Sequence, residues 1–236
     1  HLLTHTAGGW PSGAGDPMFE DKSWSMEKLI GKTLDDVPQT NAPGTDDAYS
    51  NFGYCILGRV IQKKANISYS SYVKNTILRP CGISKMDIGG NTLAFRKADE
   101  VKYYGPGAPY NMNVNRMDAH GGWIASPIDL LRFINRVDRF NTVPDILSNA
   151  SIDEMIRPTA LSGNDYAKGW MVNGHNYEHN GALDGTISRM VRMEDGFCWA
   201  VVANTRPMND GNGDTLGQLM LTIRNIIHQW PGHDLF

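Results

Sequence analysis

Apolar positions recur three and four residues apart up to about residue 160. Beyond that they form short apolar runs bounded by turns. Phe52, Cys55, Ile56, Val60 and Ile61 share one face and predict a helix over 51–65. A second helix, 69–78, carries Tyr69, Tyr72, Val73 and Ile77 on one face and stops at Arg79-Pro80-Cys81-Gly82. Ser23 or Ser25 caps a short helix ending near Gly31, with Met26, Leu29 and Ile30 inward. Ser126-Pro127-Ile128-Asp129 opens another helix: Ser126 caps it, Pro127 suits the first helical position, and Asp129 complements the positive helix end. Ser151-Ile152-Asp153-Glu154 reads as a capping box for a short helix that Pro158 ends. Residues 166–172, 177–180, 186–193 and 197–203 read as strands, separated by Gly174, Gly185 and the hairpin signal Asp195-Gly196. Short turns between neighbouring strands argue for an antiparallel sheet. A last helix, 214–230, aligns Leu216, Leu219, Met220, Ile223 and Ile227 to cover one side of that sheet. The expected fold is α+β in a single domain over 1–236. A mainly helical lobe (1–160) meets an antiparallel sheet covered by a C-terminal helix (161–236), with a cleft between them.

Composition narrows the function classes. A chain of 236 residues can bury roughly 70–75% of its unfolded surface, so its core needs no covalent staples. A net charge of −3 gives no electrostatic reason to expect nucleic acid. No apolar run approaches the roughly 20 residues of a membrane span. Cys55, Cys81 and Cys198 make neither a metal motif nor a disulfide framework. The glycine-rich run Ala7-Gly8-Gly9-Trp10-Pro11-Ser12-Gly13 lacks the frame of a phosphate cradle, and no cofactor is expected. His175 and His179 lie four apart on a strand, about 13 Å from each other, which argues against a metal site. Sequons at Asn66 and Asn149 suggest a secreted or extracellular glycoprotein, periplasmic if bacterial. The opening His1-Leu2-Leu3-Thr4-His5-Thr6 reads as a start in mid-domain, so an upstream segment is expected.

Two polar clusters remain: Tyr49-Ser50-Asn51 at a loop-to-helix junction, and His179-Asn180-Gly181-Ala182 on a strand. Taken alone, the first reads as a turn whose Asn caps the next helix, and His179 as an exposed strand histidine. Together they fall in an ordered set with Leu2-Leu3-Thr4-His5-Thr6-Ala7-Gly8-Gly9, Pro43-Gly44-Thr45, Leu57-Gly58, Gly121-Gly122 before Asp129-Leu130, and Gly169-Trp170. That set resembles the serine β-lactamase-related family: class C β-lactamases, D-alanyl-D-alanine carboxypeptidases, related esterases and their animal relatives.

The resemblance implies acyl transfer on a small amide, ester or peptide. Tyr49 would be the general base toward a serine and later protonate the leaving group, which requires nearby cations to lower its pKa from about 10. Asn51 would bond the substrate amide and the lysine of the nucleophile motif. His179 would bring positive or hydrogen-bonding character near the phenol and a substrate carboxylate. Ala182 would offer its N–H to the oxyanion, with Gly181 keeping the strand edge open. Asn180 stands where the family has Thr or Ser. The Ser-x-x-Lys nucleophile motif of the family lies upstream of Leu2, so the nucleophile is not in this chain. An N-terminal segment or an associated chain of the same protein is the expected partner. Ser25-Met26-Glu27-Lys28 and Ser71-Tyr72-Val73-Lys74 fit the tetrad but read as a cap and a solvated helix position. The alternative is a non-catalytic binding or structural module that kept the fold.

Overall fold

Ser50 caps the longest helix, and its hydroxyl serves twice. It accepts from the Gly53 N–H at 3.0 Å and donates to the Trp10 carbonyl at 2.7 Å, tying helix to N-terminal loop. This helix, α2, spans Asn51–Ala65 as the periodicity predicts and ends on Asn66 in the left-handed region. The computed structural model describes residues 1–206 and 214–232. Phe52 and Cys55 of α2 join Met18 and Leu29 in a core rimmed by Trp10, Trp24 and Met26. Val60 is exposed, contrary to the predicted stripe. The helix is crossed at Gly58, where a Cβ would lie 2.5 Å from that of Ala119, and residue 60 points away from that crossing.

Helix α1 (Met26–Asp36) starts at the Ser25 cap but runs through Gly31, because Thr33 continues the buried face begun by Leu29. Helix α3 (Tyr69–Val73) continues into a π turn over Lys74–Leu78. Ser25 accepts from the Lys28 N–H, and exposed Ser71 donates its N–H to the Ser68 cap, so both Ser-x-x-Lys tetrads do structural work. Helix α4 (Pro127–Ile134) has both halves of the expected capping box between Ser126 and Asp129. Helix α5 (Asn149–Met155) corrects the sequence reading. Ser148, one turn earlier, is the cap, and Ser151 lies inside the helix, donating its N–H to Ser148. Strands β1 (Asp87–Ile88) and β2 (Trp123–Ile124) form a short antiparallel pair that two-residue segments are too brief to announce.

Strands β3 (Met171–Asn173), β4 (Asn176–Leu183), β5 (Thr186–Arg192) and β6 (Cys198–Ala203) form an antiparallel sheet in chain order. The first strand starts five residues later than predicted, at Met171. Gly169, at φ 86°, turns the chain ahead of it, and Tyr166 makes only an isolated bridge back to Met171. One sheet face packs on α4 through Ile134, Val137, Trp170 and Tyr177. The other carries α6 (Asp214–Ile226). Gly217 of α6 rides on Arg189, where a Cβ would lie 2.4 Å from Nη1, and Arg224 pairs with Asp195. Of the expected apolar stripe, Leu216, Met220, Ile223 and Ile227 are partly buried and Leu219 is exposed. No helix among the described residues is long and apolar enough to cross a membrane.

Candidate active site

The N-terminal loop wraps the start of α2. His5 Nδ1 accepts the Ser50 N–H at 3.0 Å, the Ser12 N–H donates to the Tyr49 carbonyl at 2.7 Å, and Ser12 Oγ accepts the Asn51 N–H at 2.8 Å. Gly8 permits the wrap: at φ 87°, a Cβ there would stand 2.1 Å from the Asn41 carbonyl oxygen. Asn51 Nδ2 donates to Asp16 at 2.8 Å, which fixes the carboxamide on the cleft wall. Tyr49 is 44% exposed as a residue, and its ring centroid lies 4.0 Å from that of His5, 5.9 Å from that of Tyr166 and 6.3 Å from that of His179.

Strand β4 supplies the facing wall. His179 Nδ1 lies 2.6 Å from the Asn180 carbonyl, and Nε2 lies 3.1 Å from the Tyr166 hydroxyl. A carbonyl only accepts, so Nδ1 carries the hydrogen. Burial lowers the His179 pKa, and the neutral ring then accepts the Tyr166 proton at Nε2. His179 therefore brings hydrogen-bonding rather than positive character within this chain. The β4–β5 hairpin closes through the two-residue loop Asp184-Gly185 with Leu183 opposite Thr186. The pair flanking such a loop exchanges both backbone bonds, so alternation turns the N–H groups of Asn180 and Ala182 away from β5. Pairing of β3 reaches only to Glu178, which leaves the outward side of Asn180–Ala182 without a strand among the described residues.

Tyr49, Asn51, His179, Asn180, Gly181 and Ala182 all line one cleft of about 1730 Å³. Burial, then the Asp16 carboxylate, raises the Tyr49 phenol. Burial also pushes Tyr54 up to about 12 and raises Tyr166. A phenol in this setting serves as a base only beside an added cation. The structure thus brings together every predicted site residue and adds three that sequence reasoning missed: His5, Asp16 and Tyr166. His5 lay inside a quoted motif. Asp16 and Tyr166 had no local signal, since their partners are distant in the chain. His175 sits in the β3–β4 turn, where its carbonyl accepts from Arg192.

Residues 1–221 match the beta-lactamase family profile. The chain belongs to the beta-lactamase family. Penicillin-binding protein 4* of Bacillus subtilis (strain 168) is 24% identical over 233 residues, covering 83% of this chain and 48% of that protein. A putative D-alanyl-D-alanine carboxypeptidase of Escherichia coli (strain K12) is 23% identical over 213 residues, covering 73% of this chain and 46% of that one. This beta-lactamase-family chain spans about half the length of the curated relatives it matches. The D-amino acid amidase from Ochrobactrum anthropi SV3 superposes with a TM-score of 0.73 at 22% identity, over 96% of this chain and 72% of the amidase. The octameric penicillin-binding protein homologue from Pyrococcus abyssi gives 0.72 at 20% identity, over 95% and 55%. The fold is therefore α+β of the β-lactamase/transpeptidase type, as expected.

Proposed function

We propose that this chain is the C-terminal part of a β-lactamase-related serine hydrolase, acting by acyl transfer on a small amide, ester or peptide. The serine nucleophile comes from a segment preceding His1 or from an associated chain of the same protein. Convergence of Tyr49, Asn51 and the outward side of β4 on one cleft carries the reading. Tyr49 takes the serine proton and returns it to the leaving group. Asn51 bonds the substrate amide, and the Ala182 N–H shares the oxyanion with the serine's own N–H. Asn180 presents an amide where relatives present a hydroxyl. This alters carboxylate recognition. A lysine of the same segment supplies the cation that the Tyr49 phenol needs.

Cleft size supports this reading. Small-ligand sites run roughly 300–1,000 Å³, and this cleft is about 1730 Å³. A twelve-residue helix, about 18 Å long and 10 Å across, fills roughly 1,400 Å³. The outer edge of β6 also lacks a strand neighbour among the described residues, and an added strand fits there. The function implies an extracellular or periplasmic location. Both sequon asparagines, Asn66 and Asn149, are exposed.

Labelling the full-length protein with a fluorescent penicillin or a fluorophosphonate tests the proposal. Wild type should label at an upstream serine, and Tyr49→Phe should not. Absence of labelling in folded protein would favour a second reading, a catalytically inactive β-lactamase-like binding protein. The raised Tyr49 phenol is the observation on its side.

A further inference from the structure

The Tyr49 hydroxyl has no hydrogen-bond partner among the described residues, so its place in the cleft is set by its backbone and by the rings against it. His5 supplies contacts of both kinds. Its carbonyl accepts the Ala48 N–H at 2.9 Å, and its Nδ1 accepts the Ser50 N–H at 3.0 Å. One residue thus grips the chain on either side of Tyr49. Its ring also lies against the Tyr49 ring, with centroids 4.0 Å apart and an interplanar angle of 39°.

Two features of His5 are unfavourable in themselves. Its φ of 56° lies in the left-handed region, which strains a residue with a Cβ. Its side chain is buried, and Nε2 has no partner among the described residues. Burial, then His179, holds the His5 pKa down at about 4, so the ring is neutral. The Ser50 N–H can only donate, so Nδ1 is the acceptor and Nε2 bears the hydrogen. The rings of Tyr49, Tyr54 and Tyr166 surround it at 4.0, 5.1 and 4.7 Å between centroids. A leucine would fill that aromatic site and leave no nitrogen unpaired. It could not accept the Ser50 N–H. The acceptor at Nδ1 is what a strained, half-unpaired histidine adds.

We propose that His5 is the positioning residue of Tyr49, holding residues 48–50 through Nδ1 and its own carbonyl so that the phenol is presented to the cleft. His5 does not line the cleft and meets no substrate there. Its effect on rate rests on the acyl-transfer reading; its effect on the phenol does not.

Asn and Gly separate the acceptor from the backbone. Both tolerate the left-handed region, and only Asn carries an oxygen where Nδ1 stands. In the full-length protein, the rate constant for fluorophosphonate labelling at saturating probe should stay within about tenfold of wild type in His5→Asn and fall about 10²-fold in His5→Gly. His5→Gln, whose oxygen stands one atom further out, should be as slow as His5→Gly and replaces it if that variant does not fold. An NMR signal from labelled Tyr49 Cζ, identified by its loss in Tyr49→Phe, reads the placement without chemistry. All three variants lack the imidazole and its ring current, so comparison among them reads the acceptor alone. The signal should be single in His5→Asn and split or broadened in His5→Gly and His5→Gln. Equal labelling rates in His5→Asn and the other two, or an identical Tyr49 signal in all three, would overturn the proposal. A folded wild type that does not label would overturn the acyl-transfer reading instead, and the Tyr49 signal would still decide the role of His5.

Discussion

The junction at Tyr49 and the edge of β4 face the same cleft and are built in opposite ways. At the junction the chain satisfies itself. The Ser50 hydroxyl, the Ser12 backbone and side chain, His5 Nδ1 and Asp16 all bond to residues 49–53 or to the loop around them. Beneath it, buried Arg116 forks into the carbonyls of Met18, Glu20, Asp21 and Trp24 and fastens that loop down. By contrast, β4 beyond Glu178 has a strand on one side only among the described residues, and α6 lies on the sheet with Leu219 and Ile226 exposed. Under the proposed acyl-transfer function the difference separates two jobs. A phenol and a carboxamide act only if held still, so local bonds preorganise them. An oxyanion donor acts only if its backbone group is left open, so that strand is left short of partners.

The comparison can be broken at its sharpest point first. Tyr49→Phe should lower the acylation rate of the full-length protein by about 10²–10⁴-fold with little change in melting temperature. Ala182→Pro should cost about 10²–10³-fold by removing the outward N–H, whereas Ala182→Gly should stay near wild type; single-turnover kinetics separates them. A large stability loss in Tyr49→Phe, or wild-type rates in Ala182→Pro, would reverse the assignment of the two jobs.

Next in size is the fastening under the junction. Arg116→Ala leaves four carbonyls, that of buried Met18 among them, without this donor and should destabilise by about 3 kcal/mol in urea denaturation. Arg116→Lys should recover little, because an ammonium cannot fork to four carbonyls.

A pH effect follows. The folded pKa of His5 is about 4, below its ordinary 6.5. As pH falls, the unfolded chain takes the proton first. Stability present above pH 6.5 should therefore decline toward pH 4, by on the order of 3 kcal/mol for this ring. His120, also held near 4 by burial, adds to the same limb. Acid unfolding followed by tryptophan fluorescence should show it, and His5→Gln should flatten part of it. The smallest effect belongs to the open side: Leu219→Ser should change stability by no more than about 0.5 kcal/mol. A larger loss in thermal unfolding would mean that another segment covers α6.

What the sequence by itself determined is what neighbours a few residues apart can encode. The bounds of α2, the Ser126–Asp129 capping box and the antiparallel sheet with its hairpin at Asp195-Gly196 rest on periodicity, caps and turns. The ordered short motifs carried the family and, through it, Tyr49, Asn51, His179 and the Asn180–Ala182 edge. Where two local signals competed, sequence reading failed: Ser148 displaced Ser151 as a cap, and Gly169 delayed β3. Tertiary structure alone decided the rest. Asn51 meets Asp16 across 35 positions, Tyr54 meets the Leu3 carbonyl across 51, and Tyr166 reaches His179 from a loop outside the strand predicted for it. It also decided which N–H groups of β4 face outward and which His5 nitrogen bears a hydrogen. Those outcomes depend on hairpin register and on a donor 45 residues away, and no local pattern contains either.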